Sequence, residues 1–166
     1  MGYRNKTYVI FDGDKDMWAY AYMNGWRTRE HIDFNFHDAH ELRPLTNRAS
    51  EDTIRSRLRE RIGNTKQAVV LIGESTRNLY RFVRWELEMC MKHSIPLVAV
   101  NLNGQRVMDQ VRCPAVIKNE YVVHVDFKMK IIQHALEQFP NEYFSRPLGA
   151  TGNRHYPQET YQRLGL

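Results

Sequence analysis

The sequence predicts an α/β fold in which an open sheet of five parallel strands carries helices on both faces. Short unbroken apolar runs rich in branched residues recur along the chain, as in VVLIG and LVAVN. Such runs are typical of strands that are covered on both faces. Stretches with helical periodicity alternate with these runs. The length of 166 residues is that of one ordinary domain.

The clearest unit runs from Gln67 to Asn101, where a strand, a loop, a helix and a second strand follow one another. Placing Asn78 to His93 on the helical repeat collects apolar side chains on one side and most charged side chains on the other. Glu86 is an exception, because its neighbours three and four positions away along the helix are apolar. The pattern therefore predicts a carboxylate on the face that packs against the sheet.

A carboxylate in this position needs a specific environment, because desolvating it without a partner is costly. It must be neutralised, paired, or exposed in a pocket at the end of the sheet. One interpretation of Glu86 is an ion pair with an arginine such as Arg77. The other is a catalytic acid in a cleft. The residues alone leave both interpretations open.

The N-terminal part predicts two strands around one helix. Thr7 to Phe11 is a short β-rich run, and Asp12 to Asp16 has the composition of a turn followed by capping residues. The aromatic stretch MWAYAYMNGW is predicted to be helical and to break near Gly25. Ile32 to Phe36 alternates apolar and polar residues and predicts the second strand.

Two loops are predicted to line a ligand pocket. In a parallel α/β sheet, ligands bind beyond the carboxyl ends of the strands, near the point where the strand order reverses. The loop Asp12 to Asp16 lies there, and the following helix start could hold a phosphate, although the aspartates oppose an anion. In the loop after the third strand, Ser75 or Thr76 either caps the helix or binds a ligand.

A long loop and an arginine-rich helix join the second and third strands. Ala39 to Ala49 lacks clear periodicity, and loops of this length are usually functional in compact domains. Ser50 is predicted to cap the helix from Glu51 to Ile62. Four arginines are spread over its solvated faces without interleaved aromatic residues, namely Arg55, Arg57, Arg59 and Arg61. This pattern favours a solvated helix over a nucleic-acid-binding surface.

The C-terminal part predicts one further strand and helix. Tyr121 to Phe127 is the fifth strand, in which His124 is expected to be a hydrogen-bonded core residue. Lys128 to Phe139 carries apolar residues at helical spacing. From Pro140 onward we predict irregular chain with a short helix in the last ten residues. We expect one domain over residues 1–139 and an extension, 140–166, that packs on it.

The composition is that of a globular protein, with 42% hydrophobic and 26% charged residues. No apolar run is long enough to cross a bilayer, and the N-terminal residues lack the apolar stretch of a signal peptide. We therefore expect a cytoplasmic protein without a membrane partner. Cys90 and Cys113 are expected to be reduced thiols, and the absence of zinc-ligand spacing predicts no metal site.

The stretch LIGESTRNLYRFVRWELEMCMKHSIPLVAVNL resembles the core of TIR-like domains of the DUF1863/MTH538 type, which include the TIR proteins of Thoeris anti-phage systems. The shared features are a strand and loop containing a threonine, a helix with an aromatic-x-x-aromatic-Glu-aliphatic motif, and a following strand. The motif spans Phe82 to Leu87 in this chain, so its glutamate is Glu86. The resemblance extends over roughly Lys6 to Phe139.

This resemblance implies a TIR/flavodoxin-like strand order and cleavage of the nicotinamide–ribose bond of NAD, with Glu86 as the catalytic residue. An acidic residue ends the second strand in the resembled proteins, which implies that Asp38 contacts a ribose hydroxyl. Position and resemblance together give the substrate-binding candidates Phe11, Asp12, Asp38, Ser75, Thr76 and Trp85. The resemblance also implies self-association and a separate effector protein that is reached through an ADP-ribose-derived signal. We expect NAD as substrate and no bound cofactor.

Two other function classes compete with this interpretation. The first is a TIR-type interaction module without chemistry, which would have no reason to direct Glu86 into an apolar face. The second is a magnesium-dependent nuclease or phosphatase, because a strand that ends in Asp12-Gly13-Asp14 also opens such enzymes. Glu74 is available as a further ligand, but no carboxylate pair follows the third or fourth strand.

Overall fold

The computed structural model describes residues 6–29, 35–38, 50–79 and 81–166. The strands are β1 (Lys6–Ile10), β2 (Asn35–Asp38), β3 (Gln67–Ile72), β4 (Leu97–Asn101), β5 (Val123–Asp126) and β6 (Arg154–His155). They form one sheet in the order β2-β1-β3-β4-β5-β6, and each neighbouring pair is parallel. The predicted fold class is confirmed. Strand β6 adds two residues at the sheet edge, in a segment that was predicted to be irregular.

Helices cover both faces of this sheet, as predicted. They are α1 (Met17–Arg29), α2 (Glu51–Gly63), α3 (Phe82–Lys92), α4 (Met129–Ser145) and α5 (Gln158–Arg163). Ser50 caps α2 as predicted, since its side chain accepts a hydrogen bond from the backbone of Thr53. In the parts of the chain that the structure describes, no helix has both the length and the apolar character needed to cross a bilayer.

Alternate residues of the central strands enter two separate cores, because neighbouring side chains of a strand point to opposite faces. Val69 and Leu71 of β3 pack with α1, α4 and α5. Ala68 and Val70 pack on the other face, with residues of α2 and α3. Every residue of β3 and β4 is buried, which explains why both strands are apolar apart from Gln67 at the start of β3 and Asn101 at the end of β4.

The strand order reverses between β1 and β3. Strand β2 follows β1 in the chain and lies on its outer side, whereas β3 and the later strands extend in the other direction. The carboxyl ends of β1 and β3 therefore border the crevice in which open α/β sheets bind ligands. The predicted pocket loops, Asp12 to Asp16 and Gly73 to Arg77, both begin at this crevice.

The prediction that the first helix breaks near Gly25 is wrong, because α1 continues to Arg29. A glycine inside a helix costs about 1 kcal/mol relative to alanine. Met23 is buried on one side of Gly25. On the other side, Trp26 packs against Phe127 with ring centroids 5.0 Å apart. These contacts hold the helix to the body of the protein across the glycine.

The prediction of irregular chain from Pro140 onward is also wrong, because α4 continues through Pro140 to Ser145. Proline removes one helical hydrogen bond and disfavours a helix interior. Tyr143 nevertheless continues the buried stripe of α4 one turn after Phe139, and the two ring centroids lie 6.1 Å apart. Burial of both rings offsets the lost hydrogen bond. The predicted short helix near the C-terminus is present as α5.

His124 is a fully buried core residue, as expected, but neither ring nitrogen has a hydrogen-bond partner. Burial lowers the pKa of His124 to about 4, so the imidazole is neutral at physiological pH. The prediction that His124 is hydrogen-bonded is therefore wrong. Cys90 and Cys113 are free buried thiols, and burial raises the pKa of both.

Candidate functional site

The loops after β1 and β3 are joined by a hydrogen bond at the point where the strand order reverses. Ser75 Oγ donates to Asp12 Oδ2 at 2.5 Å, and the backbone N–H of Asp14 donates to Asp12 Oδ1 at 2.9 Å. Asp12 is buried, so these donors replace the water that its carboxylate loses. Asp12 and Ser75 thus meet at the carboxyl ends of the strands, as the sequence predicts, and each is a hydrogen-bond partner of the other.

Thr76 closes the loop after β3. Its hydroxyl accepts a hydrogen bond from the backbone N–H of Gly73 at 2.9 Å and donates to the carbonyl of Leu71 at 3.3 Å. The side chain is buried, and Ser75 makes no side-chain capping bond to the short 3₁₀ turn Thr76–Asn78. Thr76 therefore fixes the shape of the loop on which Ser75 lies.

Asp16 ends the loop after β1, immediately before α1, and faces the loop after β3. Its side chain is buried, and the residue is 6% exposed. Its Oδ2 atom is buried and has no hydrogen-bond partner. The carboxylate packs over Gly73, where a Cβ atom would lie 2.4 Å from Asp16 Oδ2. Glycine at position 73 is therefore what leaves room for the Asp16 carboxylate in this orientation.

A cleft of about 410 Å³ opens beside Asp16. Its walls come from the start of α1, the loop after β3 and the connection between β4 and β5, including Lys15, Trp18, Gly73, Ser75 and Arg112. Asp109 holds the last of these segments, because its Oδ1 accepts hydrogen bonds from the backbone N–H groups of Val111 and Arg112 at 2.8 and 2.9 Å. Arg112 is thereby fixed at the cleft by its backbone.

We expect Asp16→Asn to stabilise the fold at pH 7. Burial and then the negative charge of Asp12 raise the pKa of Asp16, and Glu74 acts in the same direction, whereas Arg112 and Thr76 oppose it. A raised folded-state pKa means that stability is fully present at acidic pH and is lost as the pH rises through that pKa. The neutral amide avoids this loss, which we expect to be about 1 kcal/mol at pH 7.

Urea unfolding of both proteins at pH 7 and pH 4 measures this difference. The advantage of Asp16→Asn should shrink towards the lower pH, where the wild-type carboxyl becomes protonated. The exposed Asp14→Asn, in the same loop, serves as control and should change the free energy of unfolding by less than about 0.5 kcal/mol. A less stable Asp16→Asn at pH 7 would contradict the expectation.

Glu86 lies on the other face of the sheet, on the sheet-facing side of α3. It is 7% exposed, as the helical periodicity predicts. The hydroxyl of Tyr8, a fully buried residue of β1, donates to Glu86 Oε1 at 2.8 Å. Burial and then the charge of Glu86 raise the pKa of Tyr8 well above its ordinary value, so the phenol stays protonated and keeps donating. This bond fixes the carboxylate against β1.

Glu86 and the cleft at Asp16 are separate in the described structure. Glu86 belongs to the side of the sheet that α2 and α3 cover, and it lines none of the three described cavities. Arg77, the arginine that the sequence offered as an ion-pair partner, donates instead to the carbonyl of Val111 at 2.6 Å. The structure thus brings Asp12, Ser75 and Thr76 together and places Glu86 elsewhere.

The remaining candidates have different environments. Trp85 is half-buried between α2 and α3, where it packs against Ile54 and Leu58, and the Arg55 guanidinium lies 4.4 Å from its ring centroid. Phe11 is buried and stacks on Tyr20 with centroids 4.9 Å apart. Asp38 ends β2, and its side chain lies outside the described part of the chain, as does the predicted loop 39–49.

The family model for the TIR-like domain of the Thoeris protein ThsB matches residues 8–107. This span is more than half of the 166 residues and contains the carboxyl-edge loops and α3. The chain belongs to this family. A comparison with curated proteins finds no match. Thoeris proteins act in anti-phage defence, so membership suggests that role for this TIR-like domain.

Three features of the TIR-like domain were not singled out from the sequence. These are the pairing of Tyr8 with Glu86, the packing of Asp16 over Gly73, and the placement of Arg112 at the cleft. Each joins residues that are far apart in the chain, and no local pattern reports them. The one available signal was Gly73, directly after a buried strand, since a glycine often marks a place where another group packs closely against the backbone.

The acidic loop of this TIR-like domain also bears on the nuclease or phosphatase interpretation. Both oxygens of Asp12 accept hydrogen bonds from protein groups. Within residues 6–29, 35–38, 50–79 and 81–166, no three His, Cys, Asp or Glu side chains are grouped so that they could hold a metal ion. Asp12 is instead a structural link between two loops.

Proposed function

We propose that this TIR-like domain is an NAD-processing enzyme that cleaves the nicotinamide–ribose bond. One observation carries the proposal. The glutamate of the aromatic-x-x-aromatic-Glu motif is 7% exposed, and the Tyr8 hydroxyl orients it at 2.8 Å. Families of TIR-like domains often contain NAD-cleaving relatives, and the match over residues 8–107 includes both Tyr8 and Glu86.

The chemistry requires a negative charge near the sugar. Breaking the bond between nicotinamide and ribose creates positive character at the anomeric carbon. A carboxylate held in a site of low dielectric can stabilise that charge or orient the attacking hydroxyl. In this proposal Glu86 supplies the carboxylate and Tyr8 is a positioning residue. Neither stabilising the charge nor orienting the hydroxyl needs a bound cofactor.

We propose that NAD approaches Glu86 from the carboxyl ends of β1 and β2. Asp38 pairs with Val9 in the sheet register, one residue beyond Tyr8, so the end of β2 lies beside the Tyr8–Glu86 pair. This position supports a contact between Asp38 and a ribose hydroxyl. Phe11, Asp12, Ser75, Thr76 and Trp85 remain proposed substrate-binding residues, with Asp12 and Ser75 acting through the loop that they fasten.

The product would be an ADP-ribose-derived signal that acts on a separate effector protein in the cytoplasm, in keeping with the anti-phage role of Thoeris proteins. We further propose that the domain self-associates when it is active. Purified protein incubated with NAD should release nicotinamide, measured by chromatography, and the rate per molecule should rise with protein concentration. Rates proportional to protein concentration would contradict the part played by self-association.

A second candidate function is a TIR-type interaction module. The observation in its favour is that Glu86 already accepts a hydrogen bond from Tyr8 and borders none of the described cavities. In that case the pair stabilises the α3–β1 contact and does no chemistry. Absence of nicotinamide release at every protein concentration would favour this module over the enzyme.

A further inference from the structure

Asp16 does not have the role that its position in the sequence suggests. An aspartate directly before a helix usually accepts a hydrogen bond from a backbone N–H of the first turn. Here the carboxylate is directed over Gly73, and its buried Oδ2 atom has no partner. Buried polar atoms without partners are rare and often belong to functional sites. Asp16 also lines the cleft, so a ligand bound there can supply the missing partner.

The surroundings of Asp16 indicate the chemistry of that partner. Lys15 and Arg112 line the same cleft, where Arg112 Nη2 lies 3.4 Å from Oε1 of Glu74, a side chain that is 88% exposed. Such exposed ion pairs are weak, so Arg112 can exchange Glu74 for an anionic group of a ligand. Trp18 is 47% exposed at its rim, and an edge-to-face contact with Phe127 at 5.5 Å holds its ring. An exposed indole offers a surface on which a planar ring can pack.

A ligand with hydroxyl donors, an anionic group and a planar ring satisfies all three features at once. We propose that the cleft binds a nucleoside phosphate, with the ribose hydroxyls on Asp16, the phosphate on Arg112 and Lys15, and the base against Trp18. The cleft of about 410 Å³ is within the size range of small-molecule sites. It opens on the α1 side of the sheet, so binding needs no chemistry from Glu86.

Adenosine 5′-monophosphate (AMP) is the probe that tests this site in the wild-type protein, by isothermal titration calorimetry. Two analogues remove one proposed contact each. Adenosine lacks the phosphate, and 2′,3′-dideoxyadenosine 5′-monophosphate lacks the ribose hydroxyls. We expect saturable AMP binding and dissociation constants at least about tenfold higher for each analogue.

Variants of the protein test the same contacts from the other side. Asp16→Asn should weaken AMP binding at least about tenfold, and Arg112→Gln should remove most of the difference between AMP and adenosine. Gly73→Ala should weaken AMP as Asp16→Asn does, because the added methyl group would displace the Asp16 carboxylate. The exposed Asp14→Asn is the matched control and should keep wild-type affinity.

Thermal unfolding separates a binding role of Asp16 from a structural one. A structural carboxylate would lower the melting temperature when it is replaced, whereas the binding role predicts that Asp16→Asn unfolds about 2–4 °C higher at pH 7. Equal AMP affinity of Asp16→Asn and wild type would overturn the proposal. Absence of saturable AMP binding by the folded wild-type protein would also overturn it. Nicotinamide release is a separate readout, because we assign it to Glu86, which does not line this cleft.

Discussion

Glu86→Gln should reduce nicotinamide release from NAD at least about 100-fold, because an amide cannot supply the negative charge that stabilises the developing positive charge on ribose. The substitution preserves size and keeps an oxygen that can accept the hydrogen bond from Tyr8. Initial rates of wild type and variant, measured by chromatography at equal high protein concentration, test the expectation. A rate within threefold of wild type would exclude Glu86 as the catalytic carboxylate.

Glu88→Gln is the matched control for this experiment. Glu88 lies two residues further along α3, on its wet side, where its Oε1 forms an ion pair with Arg84 Nε at 2.7 Å. Exposed pairs of this kind contribute about 0.3–0.5 kcal/mol. The same chemical change at Glu88 should therefore leave both the rate and the fold unaltered. Equal losses in both variants would indicate a general effect on α3 and not a catalytic role.

The stability of Glu86→Gln completes the comparison. If the Tyr8–Glu86 pair were only a structural contact, the substitution would lower the free energy of unfolding and leave no activity to lose. If Glu86 is catalytic, the loss of rate should be far larger than the change in stability, which we expect to be within about 1 kcal/mol. Urea unfolding of the same preparations measures this change in the free energy of unfolding.

Local periodicity predicted much of the fold and one property of the candidate site. The burial of Glu86 follows from the apolar neighbours one turn away on α3, and these positions are three or four residues apart in the sequence. The strands β3 and β4 were equally clear, because burial on both faces favours a run of apolar side chains along most of each strand. Short-range sequence patterns are informative where the burial of a residue depends on its neighbours in the same helix or strand.

Contacts between distant segments were not predictable in this way. Tyr8 and Glu86 are 78 residues apart, and the tyrosine has no local feature that marks it as a hydrogen-bond donor to α3. The orientation of Asp16 depends on Gly73, which belongs to another loop. In the same way, Pro140 locally predicts a helix end, but the burial of Tyr143 outweighs it. Tertiary packing decides each of these cases.

The C-terminal segment offers the second large effect, because Tyr161 of α5 is fully buried in the core that also holds Phe139 and Tyr143. The Arg106 guanidinium lies 4.1 Å from the Tyr161 ring centroid, and Arg106 Nε also pairs with Asp126 Oδ2 at 3.6 Å. Tyr161 therefore connects α5, which belongs to the segment 140–166, to the carboxyl end of β5.

Tyr161→Ala should lower the free energy of unfolding by about 3–5 kcal/mol, since it removes a buried aromatic ring and leaves a cavity. Urea unfolding of the 166-residue protein measures the change. A loss below about 1 kcal/mol would show that residues 140–166 fold independently of the sheet and only rest on it.

Tyr161→Phe is the control that separates the ring from its hydroxyl. The hydroxyl is buried without a hydrogen-bond partner, and burial raises its pKa to about 12, so removing it sacrifices no strong interaction. The phenylalanine ring keeps the core contacts and the position under Arg106. We expect Tyr161→Phe to lie within about 0.5 kcal/mol of wild type, because neither a cavity nor an unpaired charge is created. A large effect of Tyr161→Ala beside a small effect of Tyr161→Phe would assign the stability to the buried ring, and hence to the packing of the C-terminal segment on the sheet.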